Sequence, residues 1–152
     1  MAEFAVAGRT GGATAATADN VGAELWNPHG TRSLYVKQII VFLTAASACN
    51  LGVARSSAKG TSTSTVTPDA DSAYNRRAVP ATGCTLELDF SAEPTLATPY
   101  LQRATLAAIV GGGMVFAFGG LGLEVPAGTG IVVATPVAVA LPVVDVTFIG
   151  DD

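Results

Sequence analysis

The sequence predicts an all-β fold: a jelly-roll-like β-sandwich with an extended N-terminal arm and one long loop. Three observations carry this prediction. Some eight or nine short apolar stretches are separated by glycine, proline and asparagine turn signals, the rhythm of a sandwich or barrel. One of them, Cys84–Phe90, alternates cleanly, with Cys84, Leu86, Leu88 and Phe90 on one face and Thr85, Glu87 and Asp89 on the other. The two longest uncharged runs, 104–123 and 125–144, are broken by Gly111, Gly112, Gly113, Gly119, Gly120 and Gly122 and by Pro126, Pro136 and Pro142. Such punctuation leaves pieces of strand length and weakens or breaks a helix.

The elements follow in order. Residues 1–20 read as a flexible arm, because 8–20 are small and polar with no large side chain to bury. Residues 21–152 form the single β-sandwich domain that a 152-residue chain predicts. Its first strand is Ala23–Trp26, ended by the turn Asn27-Pro28-His29-Gly30. Ser33–Thr44 is a long strand, rich in β-branched and aromatic residues and without a charged face. Cys49–Ser56 is the next. Large apolar residues then almost vanish over 57–82, which read as a long loop, and a loop of that length is usually functional or ordered by a partner. After Cys84–Phe90, residues 93–109 are ambiguous: Pro94 and Pro99 interrupt them, and Leu101, Ala104, Thr105 and Ala108 permit one short helix. Met114–Phe118, Leu121–Val125, Ile131–Thr135, Val137–Leu141 and Val143–Ile149 read as closely spaced strands.

Composition narrows the function. Hydrophobic residues make up 49% and charged residues 13%, which excludes disorder driven by charge. A net charge of −4 argues against nucleic acid as a partner. The glycine- and proline-broken runs argue against a membrane span, and the N-terminus lacks the pattern of a secretory signal. One histidine and two cysteines are too few for a cysteine/histidine zinc site, and no cofactor or metal is expected. Cys49 and Cys84 match no redox or metal spacing; each reads as a small buried apolar residue, with a disulfide open if their strands are neighbours.

Catalytic readings are poor, and the chain is read as a non-enzyme. Ser56-Ser57-Ala58-Lys59 matches Ser-x-x-Lys, but the companion motifs of that chemistry are missing. His29 sits in a turn without partner chemistry. Glu87 and Asp89 share a strand face and could form a glycosidase pair, although a solvated outer face explains them more simply. Asp69 and Asp71 supply too few oxygens for a cation. Gly111-Gly112-Gly113 is not followed by the lysine of a phosphate loop.

The small-residue arm is followed by Leu25-Trp26-Asn27-Pro28 and then by the apolar strand Leu34-Tyr35-Val36-Lys37-Gln38-Ile39-Ile40-Val41. Next come Leu51-Gly52-Val53-Ala54-Arg55-Ser56 and, late in the chain, Val125-Pro126-Ala127-Gly128-Thr129-Gly130-Ile131-Val132-Val133. In this order of features the chain resembles the small structural proteins of tailed bacteriophages, most specifically capsid decoration (cement) proteins. The resemblance implies a jelly-roll-like domain that forms homotrimers on the outer capsid surface of a virion assembled in the bacterial cytoplasm, with the major capsid protein as partner. It implies a clamp on adjacent capsid subunits, with Arg9, Trp26, Tyr74, Arg76 and Arg77 as contacts. A mean hydropathy of +0.46 agrees, being more apolar than a monomer of this size needs. Deleting residues 1–20 is then expected to weaken capsid binding and leave the β domain folded. The alternative is a tail or fibre module that binds cell-surface glycan.

Overall fold

The computed structural model describes residues 3–17, 19–69, 71 and 79–152. They form thirteen strands: β1 (Glu3–Arg9), β2 (Ala13–Thr17), β3 (Asn20–Asn27), β4 (Leu34–Leu43), β5 (Cys49–Ala58), β6 (Thr61–Val66), β7 (Thr85–Ala92), β8 (Thr95–Leu106), β9 (Gly113–Ala117), β10 (Leu123–Val125), β11 (Thr129–Thr135), β12 (Val139–Leu141) and β13 (Val144–Asp151). The fold is an all-β sandwich of two antiparallel sheets. One has the order β1-β13-β4, with β10 and β9 both pairing the far side of β4; the other has the order β6-β7-β3-β11-β5-β8. A small third sheet pairs β12 with β2.

Alternation explains the layers. Val36, Ile39, Val41, Val146 and Phe148 of the first sheet meet Leu25, Leu51, Val53, Leu86 and Ile131 of the second in one core cluster. Successive strand residues point to opposite faces, so the same strands also present an outer set. Cys49 and Cys84 are buried free thiols within the core.

Four expectations are corrected. Residues 3–9 are not an arm: they pair with β13 from Glu3↔Asp151 to Arg9↔Asp145, and Phe4 and Val6 enter the core. Their two large apolar side chains, one residue apart, suffice because the partner strand is already in place. The loop expected over 57–82 is shorter, since β5 runs to Ala58 and β6 spans Thr61–Val66. No helix forms at 93–109. Burial over β8 falls on Leu96, Tyr100, Gln102, Ala104 and Leu106, a period of two, and Pro99 is tolerated because β8 is an edge strand irregular at that point. Finally, Glu87 is not solvated, being fully buried.

That burial comes from a sharp curl in the six-stranded sheet. β5 and β6 stand four strands apart, about 19 Å if the sheet were flat. Only Lys59 and Gly60 join them, and three steps between Cα atoms span at most about 11 Å. The sheet therefore rolls until β6 meets β7, and β5–β6 pairs with β7–β8 as one bent ribbon. The outer face near Glu24 and Glu87 is enclosed by this bend.

Candidate assembly surface and an enclosed carboxylate pair

Among the described residues, none forms a layer over the outer face of the five-stranded sheet. Its strands place side chains in rows that can be read from the register. One row runs Ala7–Thr147–Ile40–Val115, and a second runs Ala5–Ile149–Gln38–Ala117. Phe42, 46% exposed, lies in the next row, Arg9–Asp145–Phe42–Gly113, and Val115 is 48% exposed. The Phe42 ring lies on Gly113, where any Cβ would collide with it, so glycine lets the ring lie flat against the neighbouring strand.

Charged pairs bound this apolar band at both ends. At one end Arg9 grips Asp145 with two hydrogen bonds, Nε to Oδ1 at 2.6 Å and Nη2 to Oδ2 at 2.9 Å. The hydrogen bond from Arg9 holds the Asp145 carboxyl below the usual carboxylate range. At the other end Lys37 Nζ lies 3.0 Å from Asp151 and 3.6 Å from Glu3. The Arg9–Asp145 pair is internally neutralised, whereas Lys37 faces two carboxylates and leaves that end with one net negative charge; an apolar centre with a charged rim is the anatomy of an association surface. Beside it, the loop joining β9 to β10, which pair in succession with β4, carries Leu121, 89% exposed between Gly120 and Gly122.

On the other sheet, Glu24 of β3 and Glu87 of β7 sit directly opposite in register, both with no exposed surface. Glu24 accepts hydrogen bonds from the Ser56 hydroxyl and from the Gly60 N–H at 3.3 Å. Glu87 accepts from the Ser62 hydroxyl, from Thr65 at 2.7 Å and from Thr85 at 2.5 Å, and Lys59 Nζ lies 2.6 Å from its Oε1. Burial pushes the Glu24 carboxyl above its ordinary range. Burial acts the same way on Glu87, but the bonds from Lys59 and the three hydroxyls outweigh it and bring its pKa down to about 2.

Of the contact residues expected from sequence, Arg9 lies on the apolar sheet's outer face and Trp26 on the opposite sheet, half-buried on β3 two residues beyond Glu24. The structure does not bring these two together. Tyr74, Arg76 and Arg77 fall outside the described residues. His29 serves its turn: Nδ1 accepts the N–H groups of Thr31 at 3.1 Å and Arg32 at 2.9 Å. The Ser56–Lys59 match lies on a strand end and a bend, where Ser56 is bonded to Glu24. Asp69 accepts the Asp71 N–H at 2.9 Å.

Sequence reasoning missed Ile40, Phe42 and Val115. The signal was present in Ile39-Ile40-Val41-Phe42-Leu43. A strand apolar on both faces, in an antiparallel sheet with one core, leaves an apolar face outside.

No family model and no curated protein matches this chain. Among solved structures, the coat protein dimer of tobacco streak virus aligns over 99% of this chain and 87% of that chain. The identity is 12% and the TM-score 0.25, a likeness too slight to support an argument. Among the described residues, no helix is long and apolar enough to cross a membrane, and no group of three or more His, Cys, Asp or Glu side chains is placed to hold a metal ion.

Proposed function

We propose that this chain is a virion structural protein that acts as a capsid decoration protein. Copies associate as trimers and bind adjacent subunits of the major capsid protein on the outer surface of the shell. The observation that carries this reading is the uncovered apolar face around Ile40, Phe42 and Val115, rimmed at both ends by ion-paired side chains. Each Å² of apolar surface removed from water there contributes about 25 cal/mol. A protein that binds only the expanded lattice stabilises that lattice by mass action, so the mechanism needs no chemistry. The sequence resemblance supports the same reading.

Light scattering across a concentration range is the test, followed by co-sedimentation with expanded capsids. A constant mass near three times 15.2 kDa supports the trimer. Val115→Glu, on a half-exposed side chain, is expected to lower that mass and weaken capsid binding while the circular dichroism spectrum stays that of the folded β protein. A monomer at every concentration that also fails to bind capsids overturns the proposal.

A further inference from the structure

The strap Ala58–Thr61, which carries β5 across to β6, is tied down at two points, and both anchors are carboxylates. The Gly60 N–H bonds to Glu24, and Lys59 bonds to Glu87. Among the described residues, the surroundings supply no other charge. β5 offers the Ser56 hydroxyl, β6 offers Ser62 and Thr65, β7 offers Thr85, and β11 offers Gly130, whose missing Cβ makes room for Ser56 Oγ and Glu24 Oε1. Nearby charges are engaged elsewhere. Arg55 alternates to the other face of β5 and donates to the Glu124 carbonyl. Asp89 turns aside at a left-handed backbone, φ 56°, and accepts the Gly11 N–H. Glu93 accepts the Val21 N–H at 3.1 Å.

Charge counting then distinguishes two states. With one proton on the carboxylate pair, the enclosed cluster holds one negative and one positive charge. With both carboxylates ionised, it holds an uncompensated negative charge between strands, at a spacing where like charges repel. We propose that Glu24, Glu87 and Lys59 form a proton-controlled clasp: the strap lies closed when Glu24 is protonated and lifts, freeing β6 from β7, when both carboxylates are ionised. Only the strap and the edge strand β6 must move to rehydrate the pair, since Glu24 and Glu87 sit on β3 and β7, inner strands that stay in place. The upward push of burial on Glu24 is in the direction this requires. The sign follows: a proton held more tightly in the closed state makes closure weaken as pH rises through the Glu24 titration.

Amide hydrogen exchange of the unmodified protein between about pH 5 and about pH 8.5 tests this, with each rate corrected for its intrinsic pH dependence. Protection at Gly60 through Val66 is expected to fall up to about tenfold per pH unit over the Glu24 titration, while β4 and β13 amides stay protected. Glu24→Gln keeps the shape and a neutral head, and its strap protection is expected to stay high and flat. The emission of Trp26, the chain's single tryptophan and in register with Thr85, is expected to move with the strap. Strap protection that ignores pH in the unmodified protein overturns the clasp, as does a pH-dependent fall that persists in Glu24→Gln. If Glu24→Gln fails to fold, NMR titration of the Glu24 carboxyl decides. A midpoint matching the loss of protection supports the clasp, and a mismatch overturns it.

Discussion

Replacing Phe4 and Phe42, one at a time, by alanine separates the two faces of the same sheet. Phe4 has no exposed surface and lies in the core cluster beside β13, whereas Phe42 points outward and is 46% exposed. Deleting a fully buried phenylalanine costs about 3–5 kcal/mol, the transfer free energy of the lost atoms plus the cavity they leave. In a chain of this length that lowers Tm by on the order of 10 °C. The outward position carries no cavity term, so Phe42→Ala should cost less than about 1 kcal/mol. Urea unfolding followed by Trp26 emission measures both, with m unchanged because the same surface is exposed on unfolding. Equal and small effects from the two substitutions would refute the placement of residues 3–9 inside the sandwich. The free-arm expectation of the sequence would then stand, and with it a folded domain lacking residues 1–20.

Other consequences are measurable by ordinary means. Glu87 has a folded pKa of about 2 against an ordinary 4.5, so its contribution to stability is complete above 4.5 and is lost as pH falls toward 2. Urea midpoints between about pH 2.5 and pH 6 should therefore fall on the acid side, and Glu87→Gln should flatten that slope. Glu24 acts in the opposite sense, its raised pKa making the folded state favour the proton; Glu24→Gln should therefore improve stability at neutral pH relative to mildly acidic pH. Cys49 and Cys84 are buried, and burial pushes the Cys84 thiol up to about 11, so a thiol reagent should label neither until denaturant is added. Asn27→Ala should cost about 1–3 kcal/mol in the same urea assay, because the Arg32 and Val125 carbonyls and the His29 N–H each lose a buried partner.

Much of the fold was legible wherever one strand face is apolar and a turn residue closes it. β3, β4, β5, β7, β9, β10, β11, β12 and β13 all lie within a few residues of stretches marked by that pattern. Three of the four remaining strands, β1, β6 and β8, hide for separate physical reasons. β1 has only Phe4 and Val6 as large inward residues and leans on β13, far along the chain. β6, Thr61-Ser62-Thr63-Ser64-Thr65-Val66, has almost nothing apolar, because its Ser62 and Thr65 hydroxyls serve Glu87 and Val66 alone packs against the core. β8 carries Pro99, which reads as a breaker until the strand is known to lie at an edge. The outward apolar face was legible as an excess of apolar residues but not as a location, since placing it required knowing that β9 lies beside Ile40 and Phe42. The carboxylate pair was half legible. Alternation put Glu87 on the outer face, and only the curl of the sheet reveals that this face is closed.

The strand order of the five-stranded sheet also governs when it can form. β1 has β13 as its partner, and β4 needs β13 on one side and β9 with β10 on the other. During synthesis, then, the long apolar strand β4 emerges about a hundred residues before the strand that joins it to β1. Until residues 144–151 leave the ribosome, Ile39-Ile40-Val41-Phe42-Leu43 is an open edge, apolar on both sides, and available to any other nascent chain. Pairings this distant are slow to find, so refolding from denaturant should take milliseconds to seconds and lose yield as concentration rises. Yield during production would then depend on how quickly β13 follows β4, and slowing translation over the last thirty residues should send more of the chain into aggregates.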